Sequence, residues 1–339
     1  MALPLRSNSD RGFNRPGNIL IADQFNNRAI EIARDGRIVW HFGLGPDDLS
    51  ARSIIGVNDV QRVGTLTLLS GTGAPPGTEP AAPADGAPDN RVILVDEEGR
   101  IVWQYGQFGI TGADANQLNA PVQATYLPNR HVLITDQGNQ RIIDVSIASH
   151  GIVWQYGTTG VSGNGPNQLN DPNSAELLEN GHVLISDESN DRVIEVDRQK
   201  NVVAVFSAGG TVSGVAFSSR LENGDTLITD ANNSRIVEVD KNDKVVWQYL
   251  TNGDAASNPS PAPTRAVRLR NGDTLISDQF NHRVIAVDHE GKLVASYGAL
   301  NVSGYNTTNV LTGGLNAPYD AKVVGDYTGL TPPAGHDFD

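Results

Sequence analysis

Six segments of this 339-residue chain align with one another, and that repetition constrains the fold more than any other feature. They are NILIADQFNNRAIEIARDGRIVWHFG from Asn18, HVLITDQGNQRIIDVSIASHGIVWQYG from His131, HVLISDESNDRVIEVDRQKNVVAVF from His182, DTLITDANNSRIVEVDKNDKVVWQYL from Asp225, DTLISDQFNHRVIAVDHEGKLVASYG from Asp273, and a copy split between Thr65 and Gly106. Apolar and polar residues alternate with a period of two in each, the pattern of a half-buried strand. Val, Ile and Thr dominate these runs, and 36 glycines and 18 prolines supply the turns between them. Trp40, Trp103, Trp154 and Trp247 occupy one slot of the repeat, filled by Ala204 and Ala295 in the other two copies, at spacings of 43 to 63 residues. That period fits a four-stranded blade.

Each copy supplies three strands, and a weaker fourth precedes it: 56–63, 120–127, 171–178, 211–217 and 263–269. The first copy has no such strand before it. GLNAP at 314–318 echoes QLNAP at 117–121 and QLNDP at 168–172, however, so 318–325 is expected to return and complete it. The expectation is an all-β, six-bladed β-propeller with four antiparallel strands per blade, its ring closed by pairing the C-terminal strand with the N-terminal blade. The whole of 1–339 is then one domain. Blade 1 spans about 16–43 plus 318–325, blade 2 spans 56–106 with a loop insertion at 71–90, and blades 3 to 6 span 120–157, 171–206, 211–250 and 263–298.

The recurring DxxNxRV followed by VDxxGxIVWQYG resembles the NHL-repeat six-bladed propellers from about Asn18 to Val324. The resemblance implies the fold. It leaves function open, because that architecture hosts protein-binding modules, lyases, lactonases and sulfotransferase-like enzymes.

A formal net charge of −14 repels phosphate backbones and anionic lipid, so neither nucleic acid nor membrane is an expected partner. The absence of cysteine excludes disulfides, thiolate metal sites and cysteine nucleophiles. No stretch is long and apolar enough to span a bilayer, so the chain is expected to be soluble. Its low lysine and many Asn, Gly and Thr residues lean toward a secreted or periplasmic protein whose signal peptide is absent from this chain.

The run Asp-x-x-Asn-x-Arg (Asp23, Asn26, Arg28 and its counterparts) is expected to hold the turn between second and third strands, with Arg paired to the carboxylate, since catalytic sites are rarely built six times. The tryptophans are expected between blades. His131 and His182 are equivalent by repeat, and the histidines offer no converging set for zinc.

Where the copies differ is more informative. The connections from one blade to the next are long (44–56, 107–119, 158–170, 251–262, 299–317) and share a face with the 71–90 insertion, which marks that face for binding. Aligning the inner strands places Asp59, Gln123, Ser174, Gly214, Arg265 and Asp320 at one level, with Asn58, Val122, Asn173, Ser213, Thr264 and Tyr319 just before them. The expected ligand site is Asn58, Asp59, Gln123, Asn173, Arg265, Tyr319 and Asp320, holding a protein, peptide, glycan or small molecule at the channel mouth. Asp59, Asn173 and Asp320 resemble the channel calcium ligands of gluconolactonase and paraoxonase-type propellers, which would imply calcium and a lyase or lactonase with Tyr319 as acid or base. The alternative is a channel in which Arg265 pairs with Asp59 or Asp320.

Overall fold

The computed structural model describes residues 12–78 and 82–326. Six four-stranded antiparallel sheets make up the fold, and no cross-sheet excursions interrupt their consecutive order except in blade 1. There the inner strand is Pro318–Val323, hydrogen-bonded to Ile19–Asp23 with Ile21 opposite Ala321 and Ala22 opposite Asp320. This is the expected closure, and it leaves each sheet edge at the centre facing the channel rather than another molecule.

Apolar residues on both faces of each sheet fill the seams. Leu133, Tyr156, Ile185 and Ile194, for example, form one cluster between blades 3 and 4, and Leu184, Phe206, Ile228 and Val237 another between blades 4 and 5. The tryptophans add a polar tie. The indole N–H of Trp40, Trp103, Trp154 and Trp247 donates to a carbonyl in the next blade, of Glu97, Ile147, Arg198 and His289 respectively, at 2.7–3.2 Å.

The Asp-x-x-Asn-x-Arg run pairs Arg with Asp inside its own blade, as in Arg28 Nε to Asp23 Oδ2 at 2.8 Å. Across the turn the motif is tied side chain to side chain, Asn26 Nδ2 donating to Asp23 Oδ2 at 2.8 Å, and its bonds to backbone go to the long incoming connection. Asp23 Oδ1 accepts from Asn316 N, Asn26 Nδ2 donates to Gly304 O, and the Arg28 guanidinium donates to Asn306 O and Gly314 O. The same grip recurs at Asp136, Asn139 and Arg141 on 112–119. Thus the repeated motif builds the elaborated face by satisfying loop backbone that would otherwise need water.

The 71–90 insertion is partly strand. Leu66–Ala74 and Ala87–Val95 are nine residues each, and their pairing extends to Ala74 opposite Ala87. Gly71 stands where other blades carry the motif Asp, and a Cβ there would lie 2.6 Å from Asp89 Cγ. Asp89 has moved into that space from the third strand, pairing with Arg91 and accepting from Ile55 N.

Candidate ligand site at the channel mouth

The innermost strands have no neighbour on the channel side, so their amides must find acceptors there. Side chains of the preceding blade supply them. Asp320 Oδ2 accepts from Val60 N at 3.0 Å, Asp59 Oδ2 from Ala124 N at 3.3 Å, Gln123 Oε1 from Ala175 N at 2.6 Å, and Ser174 Oγ from Ser218 N at 3.3 Å. A second tier runs below, where Gln61 accepts from Tyr126 N and Glu176 from Arg220 N.

In blade 5 the residue at the upper tier is Phe217, opposite Thr229, and not Gly214. Gly214 (φ +62°) instead occupies the kink that precedes the inner strand, the place held by Asp171 in blade 4, so the expected alignment was three residues out there. Phe217 cannot accept a hydrogen bond. The Arg265 guanidinium lies over its ring, 4.1 Å from the centroid.

Arg265 Nη2 reaches Asp59 at 2.7 Å, and its Nε lies 3.0 Å from Asp320. Lys322 Nζ contacts Asp59 at 2.9 Å, Asp320 at 2.7 Å and Val60 O at 2.7 Å. Two carboxylates and two cations from blades 1, 2 and 6 therefore neutralise one another in the buried centre. Burial lifts Asp59 to about 6, against the pull of Lys322, while Asp320 is drawn below the usual carboxylate range because Arg265 and Lys322 outweigh its burial. This set does not fit calcium. Both carboxylates are already committed to cations, Arg265 and Lys322 would repel a divalent ion, and Asn173 belongs to a different cluster.

That cluster lies at the mouth, one residue earlier along the inner strands. Tyr319 spans from blade 1 to the opposite blade 4, where its hydroxyl lies 3.0 Å from Asn173 Nδ2 and 3.2 Å from Asn173 Oδ1. Asn173 Nδ2 also donates to Glu188 Oε2 at 2.6 Å, and Gln137 Nε2 reaches the same oxygen at 3.4 Å. On the other side Gln279 donates to Gln24, and Gln24 to Asn58, at 2.8 and 2.7 Å. Burial pushes Glu188 up, with Asp171 adding repulsion and Asn173 opposing it, and burial likewise raises the Tyr319 phenol.

The structure thus separates the expected residues into two layers. Asp59, Gln123, Arg265 and Asp320 lie in the tier that ties blades together, and Asn58, Asn173 and Tyr319 at the mouth. Sequence reasoning missed Gln24, Gln137, Glu188, Gln279 and Lys322. The signal for the first four was present: each directly follows the motif Asp, at a position that is Gln, Gln, Glu, Ala and Gln in the five blades that keep this Asp. Beside the mouth, a cleft of about 320 Å³ opens between the insertion and blade 3, lined by Thr72, Pro75, Asp85, Asn90 and Thr111 among others.

Fold and site together define a six-bladed β-propeller with a buried charge network at its centre and a layer of polar side chains at its mouth. Among solved structures the chain is similar to a protein of unknown function from Bacteroides caccae, at 17% identity and TM-score 0.58 over 83% of this chain and 93% of that one. It is also similar to virginiamycin B lyase from Staphylococcus aureus, at 11% and 0.51 over 86% and 87%, and to the WD40 β-propeller domain of Doa1, at 13% and 0.50 over 84% of each. At such identities the likeness carries the fold alone. No family model and no curated protein matches the sequence. No helix among the described residues is long and apolar enough to cross a membrane.

Proposed function

We propose that this chain is an NHL-like binding propeller that seats a protein, peptide or glycan at the channel mouth on its long-loop face. The observation that carries the reading is the layering of the centre: the deeper tier is consumed by contacts between blades, whereas the mouth gathers polar groups from three blades, Glu188 and Asn173 of blade 4, Tyr319 of blade 1 and Asn58 of blade 2. Convergent polar groups on a rigid frame favour recognition. A lyase acting at the same mouth is the second reading, favoured by the raised Glu188 carboxyl beside the Tyr319 phenol, which is a fit starting point for proton transfer.

Immobilised peptide and glycan panels, followed by titration of any hit, test the binding reading. Asn173→Ala should weaken the hit at least about tenfold, the equivalent of roughly 1.4 kcal/mol, while Arg130→Ala on the opposite face should leave it unchanged. Affinity lost in the Arg130 variant and kept in the Asn173 variant would place the ligand elsewhere.

A further inference from the structure

We propose that the ligand of the mouth is basic, the ammonium or guanidinium group of a lysine- or arginine-bearing peptide segment, with Glu188 as its anchor. This rests on the mouth being the ligand site.

Glu188 is the carboxylate of the mouth, and no Lys, Arg or His side chain among the described residues comes within 4.0 Å of it. Every motif aspartate around it, by contrast, has its own arginine. Both hydrogen bonds to Glu188 go to Oε2 and come from neutral amides, which leaves Oε1 open. A half-buried carboxylate so held gains most from a ligand that brings positive charge.

Two further groups lie across the mouth, in the chain of amides from blades 6, 1 and 2. Asn58, 4% exposed, accepts from Gln24 at Oδ1, and its Nδ2 has no partner among the described residues. Gln279, 6% exposed, donates to Gln24, and its Oε1 has no partner among the described residues. Together they offer a donor for a peptide carbonyl and an acceptor for an N–H. An anionic ligand would find no counter-charge, because the cations below, Arg265 and Lys322, are already paired.

The surrounding loops point the same way. Across the long connections between blades and the 71–90 insertion, Arg52 is the single basic residue, against Asp47, Asp48, Asp85, Asp114 and Asp254 among others. Such a rim raises the local concentration of cationic segments and speeds their approach.

The test is fluorescence anisotropy with a labelled peptide carrying several lysines and a matched peptide carrying glutamates. The lysine peptide should bind, more weakly as salt is raised, and the glutamate peptide should not. Glu188→Gln, which keeps the shape and the Asn173 and Gln137 contacts, should lower affinity at least about tenfold with an unchanged melting curve. Asp254→Asn should lower it less and flatten the salt dependence. Full affinity in the Glu188 variant, or equal binding of the glutamate peptide, overturns the proposal. If the lysine peptide fails while some other ligand binds and is lost in Asn173→Ala, the mouth remains the site and only its preference for basic ligands is wrong.

Discussion

A single hydrogen atom distinguishes the motif aspartate of blade 6 from its counterparts. Asp23, Asp136, Asp187 and Asp230 each use Oδ1 to accept from the loop residue that enters the blade, namely Asn316, Asn119, Asn170 and Ser213. The corresponding residue in blade 6 is Pro261, whose place is fixed by the Phe280 N to Pro261 O bond, and proline has no N–H. Asp278 Oδ1 is left buried without a partner, and burial, opposed by Arg283, pushes this carboxyl up to about 6. A folded-state value above the ordinary 3.8 of an aspartate means that the native protein holds the proton more tightly, so this group's contribution to stability is lost as pH rises through about 6. Pro261→Ser should restore the donor. A hydrogen bond to a charged group contributes about 1.5–3 kcal/mol, and losing proline's restriction of the unfolded chain costs about 0.4–1 kcal/mol. Denaturant titration at pH 8 should therefore show a gain of about 1 kcal/mol that shrinks toward pH 4; no gain at pH 8 would contradict this.

At the scale of strands and seams, the left-handed residue that precedes the motif Arg acts as a latch on the next blade in five of the six blades, Ser234 of blade 5 being the exception among the described residues. Asn27 accepts from Gly56 N, Asn90 from Ala120 N, Gln140 from Asp171 N and Asp191 from Gly214 N, at 2.7–2.8 Å. The closing seam uses His282, whose Nδ1 accepts from Ala317 N at 3.1 Å and must be unprotonated to do so. Burial pushes the His282 pKa down from 6.5. The latch is therefore fully present above that value and weakens as pH falls below it. His282→Asn, which copies blades 1 and 2, should blunt the fall in melting temperature between pH 7.5 and 5 by roughly 2 °C relative to the parent; an equal fall in both proteins would argue against the latch.

The same scale explains what the sequence made legible. Blades, tryptophan slots and the returning strand could be read because each is a local pattern repeated in one chain. The tier occupied by Phe217 could not, because the blade 5 lead-in, Ser213–Gly214, mimics the entry of an inner strand, and only the pairing of Val215 with Asp230 sets the register. Lys322 stands out from the repeat, since no other blade has a cation at its level, and the grip of the motif on the incoming loops runs to backbone carbonyls and amides that carry no residue pattern, 17 to 28 residues away in blade 3 and 286 away from Arg28 to Gly314 in blade 1.

For the whole molecule, one strand does several things at once. Pro318–Val323 closes the ring through Ile19–Asp23, supplies Asp320 and Lys322 to the buried charge network, and carries Tyr319 across the mouth to Asn173. Ending the chain before this strand removes one carboxylate and one ammonium together, and leaves Arg265 and Asp59 with only each other as charge partners in a network that had four members. Propeller closure is then a condition for the site as well as for the fold. The most direct measurement is the unfolding of a chain ended after Ala317, followed by near-ultraviolet circular dichroism and calorimetry. The expected result is loss of the cooperative transition, since blade 1 lacks its inner strand and the centre lacks half its charges. A sharp transition at the temperature of the full chain would contradict the closed ring.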